Sequence, residues 1–206
     1  NMTNYFEFDD IRPYNDSEVP AVMKRLAEND LLVSSFRMMK WPSCPEWLKV
    51  HADRLVRLFL KIKLSRIKTV YEFQSRIIAG YLLKRILEKT SSGITYSGIE
   101  KLSRDESYIF MTNHRDIVLD SALVGYVLYL NGFSLPYIAF GDNLLLNDAV
   151  SDLIRINNAV IVKRGLARKE QLAASMHLSE YFNILRNEGR NIWISQREGR
   201  AKDGID

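Results

Sequence analysis

Three short segments of this chain put reactive or charged side chains directly after an apolar run. The first is Met111-Thr112-Asn113-His114-Arg115-Asp116-Ile117-Val118-Leu119-Asp120. An imidazole takes up a proton near neutral pH, a nearby carboxylate fixes its tautomer, and a helix N-terminus offers free N–H groups to an anion. The same turn also reads as a plain helix start, with Asn113 or Asp116 as the cap. The second segment, Asn158-Ala159-Val160-Ile161-Val162-Lys163-Arg164-Gly165, delivers two adjacent cations. A guanidinium grips a phosphate at two points and an ammonium adds a point charge. The third is Ile192-Trp193-Ile194-Ser195-Gln196-Arg197-Glu198-Gly199-Arg200-Ala201-Lys202. It offers the Glu198 carboxylate, a flexible backbone N–H at Gly199, and positive charge from Arg197, Arg200 and Lys202.

The elements that must position these segments follow from periodicity. Strands are expected at Ile94–Tyr96, Tyr108–Met111, Tyr137–Phe140, Val160–Val162 and Ile192–Ser195, with helices between them at about 118–130, 147–156 and 166–187. Alternating strands and helices argue a sheet with crossover connections. Before residue 93 the pattern is helical throughout. Val19, Val22, Met23 and Leu26 keep helical spacing after Asp16-Ser17. Asp30 is expected to cap a helix through Met39. A helix from Pro45 to about Leu64 puts Leu48, Leu55, Phe59 and Ile62 on one face. Another, from about Val70 to Lys89, carries Val70, Phe73, Ile77, Tyr81 and Leu82 as its stripe.

Composition narrows the chemistry. The chain has 206 residues, 47% of them apolar, with 29 Lys and Arg against 25 Asp and Glu, which is ordinary globular composition with a small positive excess. Cys44 is the single cysteine and the three histidines lie far apart, so no metal site is expected. The polar, acidic start does not read as a signal peptide, and no run reaches the ~18 apolar residues of a membrane span. His114-Arg115-Asp116 has the look of a protein-kinase triplet, but position 121 is Ser121 where that pattern needs Asn, and no Asp-Phe-Gly occurs.

Taken in order, the segments resemble the glycerolipid acyltransferases, the glycerol-3-phosphate and lysophosphatidate acyltransferases. Asn113-His114 matches the start of that family's NHxxxxD block, and Ser121–Tyr129 resembles the helix that follows its Asp. Asn158–Arg164 resembles the G-x-[IF]-[FI]-[IV]-x-R block, and Glu198-Gly199-Arg200 the EGGRSR form of the third. Gly98-Ile99-Glu100-Lys101-Leu102 resembles the G-x-E-x-L strand before the first block. The sequence departs from the pattern in four places. One residue more separates His114 from Asp120, Asn158 replaces Gly, Gln196-Arg197 replace Phe-Pro, and one residue is missing after Gly199. The resemblance implies an α/β fold: a helical N-terminal region over 1–92, then a glycerol-3-phosphate acyltransferase-like domain over 93–206. That domain would hold a mixed sheet with crossover helices and be C-terminally incomplete.

The resemblance also implies acyl transfer from a thioester to an alcohol. His114 would be the general base and Asp120 its partner, with Asp116 as the alternative. Lys163 and Arg164 would hold the acceptor's anionic group, and Glu198, Gly199 and Arg200 would position the acceptor. No metal or prosthetic group is needed. Acyl-CoA or acyl-carrier protein would be the co-substrate, and glycerol 3-phosphate, lysophosphatidate or a related anionic lipid the acceptor. The expected location is the cytoplasm, with peripheral contact on the inner face of the membrane. The rival class is a non-catalytic basic module binding anionic membrane or nucleic acid, supported by the basic stretch Lys61–Lys68. No nucleic-acid motif accompanies that stretch.

Overall fold

A computed structural model describes residues 5–113, 115, 116 and 119–196. Four strands form one sheet: β1 (Ile109–Thr112), β2 (Tyr137–Gly141), β3 (Ala159–Val162) and β4 (Ile192–Ser195), in the order β1-β4-β2-β3. Among the described residues every pair is parallel, where the sequence reading expected a mixed sheet. The helices α6 (Leu119–Leu130), α7 (Asp148–Ile156) and α8 (Arg168–Asn187) supply the crossovers. Right-handed crossovers put α6 and α7 on one face and α8 on the other. Ile94–Tyr96, read as a strand, is not one. The outer partner of β1 is missing among the described residues, and this segment packs instead along α6. Ile99–Lys101 is a single 3-10 turn entered through Gly98, at φ 89°.

The N-terminal half is helical: α1 (Val19–Glu28), α2 (Asp30–Lys40), α3 (Lys49–Leu64), α4 (Val70–Phe73) and α5 (Lys84–Thr90). Asn29 rather than Asp30 caps α2, its side chain accepting from the Leu32 N–H, while Asp30 is the first helical residue. Between α4 and α5 the chain runs as a π-helix over Gln74–Leu83. Its wider turn shifts the buried line to Ala79 and Leu83 and leaves Tyr81 and Leu82 exposed, against the 3.6-residue expectation. A Cβ at Gly80 would stand 2.6 Å from the Ser75 carbonyl oxygen, so this turn accepts little but glycine there.

The α3 stripe lies on one face, as its spacing requires, but that face points outward. Leu55 is 62% exposed and Ile62 48%, whereas Val56 is 2% exposed. Spacing specifies which residues share a face and is silent about which face is covered. The covered face is set here by α1 and α2, and Arg37 Nε binds Asp53 Oδ1 at 2.7 Å across the α2–α3 contact.

Two cores hold the molecule, and both mix residues from before and after position 93. In one, Phe8 and Ile11 pack with Ala159, Val160, Tyr181, Leu185 and Ile192. In the other, Val19, Val22, Met23, Leu26 and Phe73 pack with Ala149 and Ile156. The buried Asp152 of α7 reinforces the second. It accepts two hydrogen bonds from Arg25 of α1, at 2.7 and 2.8 Å, and one from the Tyr14 hydroxyl at 2.7 Å.

Candidate active site

Because the sheet is parallel, all four strands deliver their carboxyl ends to one edge, the edge where α/β proteins place their ligands. Thr112 of β1 and Ser195 of β4 are Cα partners in register, and the Gln196 N–H donates to the Thr112 carbonyl at 2.9 Å. The first and third chemical segments therefore leave the sheet from adjacent strand ends. His114, Glu198, Gly199 and Arg200 themselves lie outside the described residues.

The two aspartates of the first segment do different things. Asp116 Oδ1 accepts from the Leu119 N–H at 2.8 Å, a cap on the first turn of α6. Asp120 lies in that first turn, and its Oδ2 accepts from the backbone N–H of Arg115 at 2.8 Å and of Asp116 at 2.9 Å. Its carboxylate thus faces back onto the backbone of Arg115 and Asp116. The helix N-terminus favours that negative charge.

The second segment splits its two cations. The Lys163 ammonium pairs with Asp10, whose other oxygen lies 3.3 Å from His177 Nε2. Burial pushes the Asp10 carboxyl up, but hydrogen bonds from Lys163 and His177 outweigh it and hold the group below the usual carboxylate range. Lys163 thereby ties the N-terminal segment to β3. The Ile161 N–H adds a backbone bond to the Ile11 carbonyl at 2.8 Å. Arg164 goes elsewhere. Its guanidinium lies over the end of β2, beside Gly141 and the Asn143 side chain. Strands sit ~4.8 Å apart, so the end of β3 is roughly 14 Å from that of β1, and crossing β2 carries the guanidinium one strand nearer. The sequence reading ended β2 at Phe140 and gave Gly141 and Asn143 no role. The signal available was a glycine closing an otherwise apolar strand.

Asn158, which stands where the resembling block has glycine, has φ 60° and is buried. Asparagine is the residue best able to replace glycine in the left-handed region, so the backbone turn into β3 is kept despite the substitution.

An apolar groove of about 420 Å³ lies alongside the site. Ile99 and Leu102 form one wall, Leu123, Val124 and Val127 of α6 another, and Phe110 of β1 lies between. Leu123 is one helical turn beyond Asp120, and Phe110 stands two residues before Thr112. The groove and the polar turn therefore share β1 and α6. Among the described residues there is no cluster of metal-ligating side chains, and no helix is long and apolar enough to cross a membrane.

Comparison with known proteins bears on this edge. A family model described as "Acyltransferase" matches residues 93–201, which takes in all four described strands, the first two polar segments and the third as far as Ala201. A glycerol-3-phosphate acyltransferase from Alteromonas mediterranea is 29% identical over 127 residues. That match covers 60% of this chain and 15% of the relative's length.

Proposed function

Since the chain belongs to the acyltransferase family, we propose that this sheet edge transfers an acyl group from a thioester to the hydroxyl of a small anionic acceptor, with glycerol 3-phosphate the first to test. The observation that carries the reading is convergence. In sequence Asn113-His114 and Glu198-Gly199-Arg200 follow β1 and β4, whose ends are neighbours, and Arg164 lies over the end of β2, the strand beside β4. In this reading His114 takes the proton of the acceptor hydroxyl, whose oxygen attacks the thioester carbonyl. A C–O bond forms, the C–S bond breaks, and the proton passes from the imidazolium to the departing thiolate. Asp120 orients His114 and stabilises the imidazolium, the logic of a Ser-His-Asp triad with the substrate hydroxyl in place of serine. Arg164 holds the acceptor's anionic group, and Glu198, Gly199 and Arg200 seat the rest of it. The donor is acyl-CoA or acyl-carrier protein, and the groove along α6 receives its chain.

The test is release of free thiol from acyl-CoA, with and without glycerol 3-phosphate, by the full-length chain and its His114→Ala variant. A positioned general base contributes about two to four decades. The variant should therefore lose at least a hundredfold in turnover while melting at the wild-type temperature. A folded His114→Ala protein that keeps most of its turnover would remove the proposed base.

A further inference from the structure

Gly141 closes β2 with φ −68° and ψ 137°. That backbone is open to every residue, so glycine is not there for its conformational freedom. The reason is space. A Cβ at this buried position would stand 2.5 Å from Asn143 Oδ1, 2.9 Å from Arg164 Nε and 3.2 Å from Arg164 Cζ. Two side chains from different strand ends thus converge on the point a third would fill. Asn143 comes from the turn Asp142–Leu144 after β2, and Arg164 from the end of β3.

Both residues are exposed, and among the described residues neither side chain is spent on an ion pair or hydrogen bond. Exposed polar side chains are solvated by water, so their donors stay available to a ligand. A guanidinium with five N–H donors and an amide with two thus meet over the carboxyl edge, open to solvent. The contrast with Lys163 is direct, because that ammonium is already committed to Asp10.

We propose that Asn143 is a second binding residue for the anionic acceptor, its amide joining the Arg164 guanidinium on one phosphate or carboxylate group. Gly141 is the positioning residue that lets the two meet. The inference rests on the reading of Arg164 as the acceptor's anion contact and extends it to a two-residue grip. The substrate class it fits is a small phosphate monoester bearing a free hydroxyl.

The test varies glycerol 3-phosphate at saturating acyl-CoA, and acyl-CoA at saturating glycerol 3-phosphate, in the full-length chain. The variants are Asn143→Ala, Gly141→Ala and Arg164→Ala, and inorganic phosphate serves as a competing anion. Loss of one hydrogen bond to a charged group should raise the acceptor KM about tenfold in Asn143→Ala, with the acyl-CoA KM unchanged within about twofold. The phosphate inhibition constant should rise in step. Gly141→Ala keeps its backbone dihedrals and displaces only two side-chain ends. It should melt like the wild type yet raise the acceptor KM at least as far as Asn143→Ala. An Arg164→Ala variant with unchanged acceptor KM would overturn the reading of Arg164 itself. If Arg164→Ala raises it and Asn143→Ala does not, the two-residue grip is wrong and the Arg164 reading stands. If Asn143→Ala raises it and a folded Gly141→Ala does not, the positioning role is wrong. Should Gly141→Ala fail to fold, Asn143→Ala decides the grip alone.

Discussion

Replacing the two aspartates of the first segment one at a time separates capping from chemistry. Among the described residues, Asp116 accepts from the Leu119 N–H at 2.8 Å. Asparagine caps about as well as aspartate, so Asp116→Asn should be nearly silent, while Asp116→Ala should cost about 1 kcal/mol. In a chain of this size that lowers the melting temperature by about 2–4 °C. Among the described residues, Asp120 accepts from the N–H groups of Arg115 and Asp116. An asparagine Oδ1 can still accept both, so Asp120→Asn keeps the turn and loses the charge. Hydrogen bonds to a carboxylate are roughly twice as strong as neutral ones, and exchanging them in an exposed turn should cost about 1 kcal/mol. The effect on turnover should be far larger. In the Ser-His-Asp case, replacing the aspartate by asparagine leaves the geometry intact and cuts kcat about 10⁴-fold. The assay pairs thiol release at saturating substrates with a thermal melt of the same preparations. Turnover surviving in Asp120→Asn would confine that residue to holding the turn. An inactive Asp116→Asn beside an active Asp120→Asn would make Asp116, not Asp120, the partner of His114, and would mean that the one-residue insertion is placed wrongly.

Two further perturbations address the donor and the membrane. Val124→Trp should fill the groove between Leu102 and α6, raising the KM for a long-chain acyl-CoA at least fivefold and sparing a short-chain one. Equal effects on both chain lengths would remove the groove from the donor site. The outward α3 face, with Leu55, Leu58, Phe59 and Ile62 beside Arg54, Lys61 and Lys63, is our proposed membrane contact, because an apolar stripe flanked by cations suits an anionic interface. Leu58→Asp with Ile62→Asp should abolish co-flotation with phosphatidylglycerol vesicles while thiol release in detergent persists. Undiminished flotation would place the contact elsewhere.

The strands from β1 to β4 and the helices α6, α7 and α8 were legible because their apolar runs are bounded by clear turn signals and end in polar segments. Reading Ile94–Tyr96 as a strand failed because β-branched and aromatic residues beside a glycine specify extended chain, and only a neighbouring strand makes extended chain a ladder. The stripe of α3 was legible and its direction was not, since the same amphipathic spacing serves a core or a surface. The Val70–Lys89 stripe drifted because a π-helical stretch changes the period within an unbroken helix, and nothing in Gln74–Leu83 except Gly80 marks it. The cap at Asn29 shows the usual one-residue ambiguity of neighbouring capping residues. At the site, sequence order brought His114, Arg164 and Glu198 into one hypothesis. It treated Lys163 and Arg164 as a unit because they are adjacent. The structure gives the first to Asp10, a residue too far away in the chain for spacing to reveal.

Strand order is the part of the architecture that no local pattern encodes, and it sets the problem that Gly141 solves. β4, last of the described strands, enters between β1 and β2. That insertion makes the ends of β1 and β4 neighbours, as the proposed reaction needs, and it pushes β3 to the far edge of the sheet among the described strands. The cation after β3 is then roughly three strand spacings from the turn after β1. An arginine side chain can close part of that gap, but only by lying across the end of β2, where a side chain on the last residue would stand in its path. Two positions tolerant of glycine thus answer different demands. Position 158 needs a left-handed backbone and is met by asparagine. Position 141 needs an absent side chain, and no other residue type can supply it. This is why Gly141→Ala, at a backbone conformation alanine adopts freely, is expected to act on acceptor binding rather than on folding.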